Sequence, residues 1–204
     1  AFARSIAELR AAGAVIVDPI VIPDLQQLLA NRGGRPGDSA EAFANYFGRS
    51  RNPPFASIEA MMAAPDYGRL TNFAKAVCRG DGDASRHYAH LVAREELMIR
   101  FLKVMTDQDL DAIVLKTNEH QPTLIEDGTK PPFVNTKGAW FLNTFLVYVP
   151  IVAVPAGFTA DSLPVGITFM GRPYDDGAML KLAYAYEQAT HHRRPPSTTP
   201  PLSR

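Results

Sequence analysis

Apolar positions along this chain change period several times, and each change predicts an element. Phe2, Ile6 and Leu9 recur every three to four residues, which predicts a helix over residues 2–12 closed by Gly13. The run Ala14, Val15, Ile16, Val17 predicts a buried strand stopped by Asp18 and Pro19. Helix and strand together read as the start of an α/β unit. A short helix is expected over 24–30 and a turn-rich linker over 32–38. Residues 39–77 carry short helical patterns around 42–47, 58–63 and 70–77 and no strand pattern. The longest helix is capped by Asp83, Ala84 or Ser85 and runs to about Thr106. Its apolar face is read as Leu91, Met98, Leu102 and Met105, with Glu96 and Arg100 as an i,i+4 pair on another face. The whole stretch from about 39 to 106 is expected to be a helical insertion.

The second half changes to a period suited to strands. Residues 110–115, Leu-Asp-Ala-Ile-Val-Leu, predict a strand covered on both faces. A long Pro-, Thr- and Gly-rich loop over 118–137 is expected to be functional or mobile. Residues 151–155 and 165–170 are two β-branched runs joined through Gly157, Asp161 and Pro164, and they predict an antiparallel hairpin. Gly171, Arg172 and Pro173 break the second run. A helix then starts on Asp175 or Asp176 and ends before Pro195, packing on the sheet through Met179, Leu182, Ala183 and Tyr186. The Pro/Ser/Thr-rich tail is expected to fray.

Composition narrows the classes. The 204 residues suffice for one sizeable domain, and 21 Lys+Arg balance 21 Asp+Glu, so no basic stripe argues for nucleic acid or a membrane surface. The single cysteine, Cys78, excludes an intramolecular disulfide framework and fits a reducing, cytoplasmic setting. No apolar run approaches bilayer-spanning length, and no signal-peptide pattern opens the sequence. Ala1 rather than Met stands first and the residues after it already read as helix, so the chain is expected to begin inside a longer protein.

Residues 150–187 resemble the C-terminal signature of the amidase signature family. The run from Pro150 through Gly157-Phe158, Asp161, Leu163-Pro164 and Gly166 follows that family's hairpin pattern. Gly171-Arg172-Pro173-Tyr174-Asp175-Asp176 and the helix segment Ala183 to Glu187 continue it. The opening helix and Asp18-Pro19 are similar to the family's region just beyond its catalytic segment. Residues 110–115 are similar to a family strand that usually continues into Pro-Thr, where Lys116-Thr117 stands here.

The resemblance implies an α/β fold, a three-layer α/β/α architecture with a mixed central sheet, of which residues 1–204 would be the C-terminal part. It implies hydrolysis of carboxylic amides to acid and ammonia or amine, with no metal or organic cofactor. The family uses a Ser-(cis)Ser-Lys triad in which a neutral lysine takes a proton through the bridging serine while the other serine attacks the carbonyl. This sequence has no Ser-Ser pair, and its sole Gly-Gly is Gly33-Gly34. No triad residue maps onto it, so the triad is expected upstream.

The resemblance places the substrate side in this chain, with Trp140, Thr144, Phe145 and Tyr148 as pocket wall and Asp161 facing a substrate amine. Phe145 and Tyr148 stand where Asn and Gly are common, which implies a bulkier, more apolar wall than in glutamine-specific members. An aromatic stripe ahead of a buried strand also reads as core, and Asp161 also reads as a turn residue. Partners expected are a small-molecule amide and the N-terminal portion of the same protein or a second copy, covering the sheet edge and residues 138–148. Two other identities stay open: a non-catalytic fragment or degenerate paralogue that binds or scaffolds, and an amidotransferase subunit.

Rival constellations are weaker. His87 and His90 with Glu95 have ligand-compatible spacing, but the His-Glu-x-x-His pattern is absent and polar exposure accounts for them. Asp81-Gly82-Asp83 lacks the acidic twelfth position of a calcium loop, where Val92 stands. Cys78 reads as a buried, inert thiol. His191 to Arg194 and the Asp175-Asp176 pair suit the two ends of a helix dipole.

Overall fold

The computed structural model describes residues 1–31, 39–70, 75, 84–118, 120–131 and 148–196. In chain order the described elements are α1 (Phe2–Ala11), α2 (Leu25–Ala30), α3 (Ser39–Phe47), α4 (Ile58–Met62) and a 3₁₀ turn (Pro65–Arg69). There follow α5 (Ala84–Asp107), β1 (Ile113–Lys116), α6 (Ile125–Thr129), β2 (Ile151–Phe158), β3 (Pro164–Met170) and α7 (Asp176–Thr190). The chain divides into two compact units, residues 1–23 with 98–204 and residues 24–97, and the boundary falls inside α5.

The first unit is organised by its hairpin. β2 and β3 pair antiparallel with Val152 opposite Phe169 and Val154 opposite Ile167, and β1 pairs antiparallel on the other side of β3. The order is β1-β3-β2. The α/β class expected from sequence holds, and the three described strands are antiparallel neighbours throughout. Alternation along β3 turns Ile167 and Phe169 to the face that receives α7 and α1. There Leu9, Val154, Ala156, Met179, Ala183 and Tyr186 close one apolar core, with Leu182 packed at its margin. The expected packing stripe of the last helix is the observed one. Gly171 permits this docking, since a Cβ there would meet Met179 at 2.8 Å.

A bulge sits where β2 shifts register between Pro155 and Phe158. Gly157 adopts φ +103, a backbone region that favours glycine. Arg4 crosses the space a side chain would need there, and its Nη2 donates to the Ala156 carbonyl at 2.6 Å.

Three sequence expectations are corrected. Residues 14–17 are extended but form no strand, and Val15 is 92% exposed. A strand needs a neighbour to receive its hydrogen bonds, and among the described residues none lies alongside this run. The strand expected over 110–115 begins only at Ile113. The closing turn of α5 claims Leu110, whose N–H reaches the Met105 carbonyl at 2.8 Å, with Asp109 at φ +50. β1 is half-buried and ends on exposed Lys116, so it is not covered on both faces. The buried stripe of α5 is His90, Ala93, Leu97, Phe101, Val104 and Met105 rather than the expected Leu91, Met98 and Leu102.

The second unit contains only helical elements among the described residues. Ser57 caps α4 by accepting from the Ala60 N–H, and the Phe43 and Phe47 rings lie 4.6 Å apart on α3. The helix expected over 70–77 lies outside the described residues apart from helical Lys75. No helix among the described residues is long and apolar enough to cross a membrane.

Candidate functional site

The hairpin fixes where the expected site residues can stand. Tyr148 lies in the turn leading into β2 and is 66% exposed. Asp161 lies in the connection at the far end of β2, where its Oδ2 accepts from Gln121 Nε2 at 3.4 Å. The eight residues of β2 separate them, about 23 Å at the usual strand rise. One small amide therefore cannot touch both. Trp140, Thr144 and Phe145 lie outside the described residues.

At the Asp161 end the sheet opens into a cleft of about 270 Å³. Lys116, Asn118, His120, Gln121 and Thr159 supply its polar wall, and buried Ser5 and Ile167 lie among its lining. The Lys116-Thr117 pair that departs from the family pattern is integrated into the sheet. The Thr117 N–H donates to the Gly166 carbonyl at 3.1 Å, and its hydroxyl lies 2.9 Å from that of Thr168. Gly166 is required by this approach, because a Cβ there would sit 2.8 Å from Thr117 Oγ1. The wall supplies amide, hydroxyl, imidazole and ammonium groups suited to binding a polar substituent. Ser5 is fully buried and its hydroxyl reaches the Ala1 carbonyl at 3.5 Å, so it is not presented as a nucleophile.

A second polar constellation joins α1 to α7. Glu8 accepts from the Tyr186 hydroxyl at 2.6 Å, lies 2.9 Å from His192 Nε2, and pairs with Arg4 at 3.4 Å. Burial pushes the Glu8 carboxyl up, but hydrogen bonds from Tyr186 and His192, with the charges of His192 and Arg4, outweigh it and leave its pKa below the ordinary value. Burial first, and then the hydrogen bond to Glu8, push the Tyr186 phenol up to about 12. Sequence reading treated Tyr186 as packing and His192 as a dipole charge. The available signal was that a buried tyrosine hydroxyl needs a partner, and Glu8 sits one turn from Arg4 on the adjoining helix.

The signs give a pH profile for stability. Glu8 has a folded pKa below its unfolded 4.5, so its contribution is present above that value and is lost as pH falls through the folded one. Tyr186 has a folded pKa raised from 10.0 to about 12, so its contribution is present below 10 and is lost as pH rises through that interval. Thermal melts of the wild type and Glu8→Gln are expected to differ at neutral pH and to converge below pH 4.5. A constant difference across that range contradicts the assignment.

Among the described residues, no group of three His, Cys, Asp or Glu side chains is placed to hold a metal ion. His90, one of the histidines with ligand spacing, is buried in the stripe of α5.

Comparison with known proteins places this geometry. The family model described as Amidase matches residues 1–180. A urea amidolyase from Lachancea kluyveri is 29% identical over 191 residues, covering 91% of this chain and 10% of the relative. A glutamyl-tRNA(Gln) amidotransferase subunit from Desulforudis audaxviator is 50% identical over 56 residues, covering 27% of this chain and 11% of the relative. The native peptide amidase from Stenotrophomonas maltophilia superposes with a TM-score of 0.71 at 26% identity, covering 96% of this chain and 40% of that one. The chain thus spans about a tenth of the curated relatives and two-fifths of that solved structure.

Proposed function

The chain belongs to the amidase signature family, and on that premise we propose that it forms the substrate-side portion of a carboxylic amide hydrolase whose Ser-(cis)Ser-Lys triad is carried by polypeptide upstream. The observation that carries this reading is a family match over residues 1–180 in a sequence with no Ser-Ser pair. In the assembled enzyme the nucleophilic serine adds to the amide carbonyl as its proton passes through the bridging serine to the lysine. The amine or ammonia leaves with a proton, and water releases the acid. This chain's contribution is to shape the acyl pocket through residues 138–148, where Phe145 and Tyr148 narrow the wall. The partner is the triad-bearing portion, lying along residues 14–17, where the exposed Val15 presents a β-branched extended run.

A second reading, a glutamine-using amidotransferase component, is favoured by the 50% identity over 56 residues to one such protein. The bulk of Phe145 and Tyr148 weighs against it.

The isolated 204-residue chain, checked for folding by its helical circular dichroism, is expected to give no turnover of aryl or alkyl amides above the uncatalysed rate. Turnover that survives stringent purification and resists a serine-directed inactivator overturns the proposal.

A further inference from the structure

Helix α7 buries one face against the hairpin and leaves the opposite face without cover from the described residues. That outer face runs through Gly177, Leu180, Tyr184 and Gln188, spaced three to four residues apart. Leu180 is 60% exposed and Tyr184 is 64% exposed, and Tyr174, just ahead of the helix, is 98% exposed. Gly177 has no atom within 4 Å of the position its Cβ would take, so the first turn is flat and open to close approach. Isolated exposed apolar residues are ordinary, but an aligned Leu-Tyr pair one turn apart beside a glycine is a surface shaped for another helix.

The charges say which helix fits. Asp176 stands exposed at the start of α7, while His191 and Arg193 stand exposed just beyond its end. Its 15 residues keep the two ends about 22 Å apart at the helical rise. A two-fold axis near the middle of the stripe sets each Leu180 against the other copy's Tyr184. It also brings each acidic start beside the other copy's basic end. Such an interface is isologous, the same patch used twice, and it closes without further growth.

We infer that the outer face of α7 is a self-association surface that takes a second copy of this chain in antiparallel orientation. Both the apolar stripe and the charge asymmetry of one helix are satisfied by that single partner. One helix face buries less than the roughly 800 Å² per partner of a standard interface, so the association is concentration-dependent.

Sedimentation of the gene product that carries residues 1–204 tests this directly. The average mass is expected to climb toward twice the monomer value with concentration. Leu180→Glu and Tyr184→Glu should each weaken association about tenfold or more, with unchanged melting temperatures because both side chains are exposed. Asp176→Lys and Arg193→Glu should each weaken self-association, since each places like charges together at both ends of the pair. Mixing those two variants should restore it, because opposite charges then meet at both ends. A monomer at every concentration overturns the inference. So does association that survives Leu180→Glu but is lost on Val15→Glu, or a mixture no stronger than its components.

Discussion

Replacing Tyr186 by alanine is expected to cost about 3–5 kcal/mol of stability, the range for removing a buried aromatic side chain. The ring is 1% exposed and lies edge-on to Phe169 at 6.2 Å. It fills the space where α7, α1 and the hairpin converge, so truncation opens a cavity and withdraws the donor from Glu8. Domains of this kind are held by roughly 5–15 kcal/mol in total, so the change consumes a large share of what is available. Tyr186→Phe isolates the hydroxyl. It keeps the packing and removes a hydrogen bond to a charged acceptor, expected to cost about 1.5 kcal/mol because the Glu8 side chain keeps 23% of its surface in water and can find another donor there. Urea unfolding should rank the alanine variant far below the phenylalanine variant. Equal losses would mean that the Glu8 bond, and not the packing, anchors α7.

The second large effect concerns activity. Joining residues 1–204 to the polypeptide carrying the Gly/Ser-rich run and the lysine is expected to raise amide turnover by on the order of 10³-fold or more over either part alone, since members of a catalytic triad act as a unit. The portion with the triad lacks the acyl-pocket wall, and the portion with the wall lacks a nucleophile. Rates that merely add when the parts are combined would contradict this division of labour.

How much of this was legible in the sequence depended on whether local pattern or distant contact decided the outcome. The β2–β3 hairpin and the stripe Met179, Leu182, Ala183, Tyr186 were legible because period, turn residues and breakers agree there. Residues 14–17 carry a strand's composition, yet a strand is made by its neighbour, and no neighbour is among the described residues. The stripe of α5 was misplaced because Leu91, Met98 and Leu102 fit helical spacing nearly as well as Ala93, Leu97 and Phe101, and only tertiary packing chooses between them. The distance between Tyr148 and Asp161 follows from the length of β2, which the sequence shows but which a roll of site residues conceals. The Glu8–Tyr186–His192 network joins positions 178 and 184 residues apart, beyond the reach of any local pattern.

The most direct test of the central claim is to locate the nucleophile. The full gene product should be inactivated with a serine-directed phosphonate, digested, and the labelled peptide identified by mass. The account predicts a single modified serine in a Gly/Ser-rich run outside residues 1–204, with the label lost when substrate protects the enzyme. A substrate-protected label on Ser5, or on any other serine of these 204 residues, would contradict it.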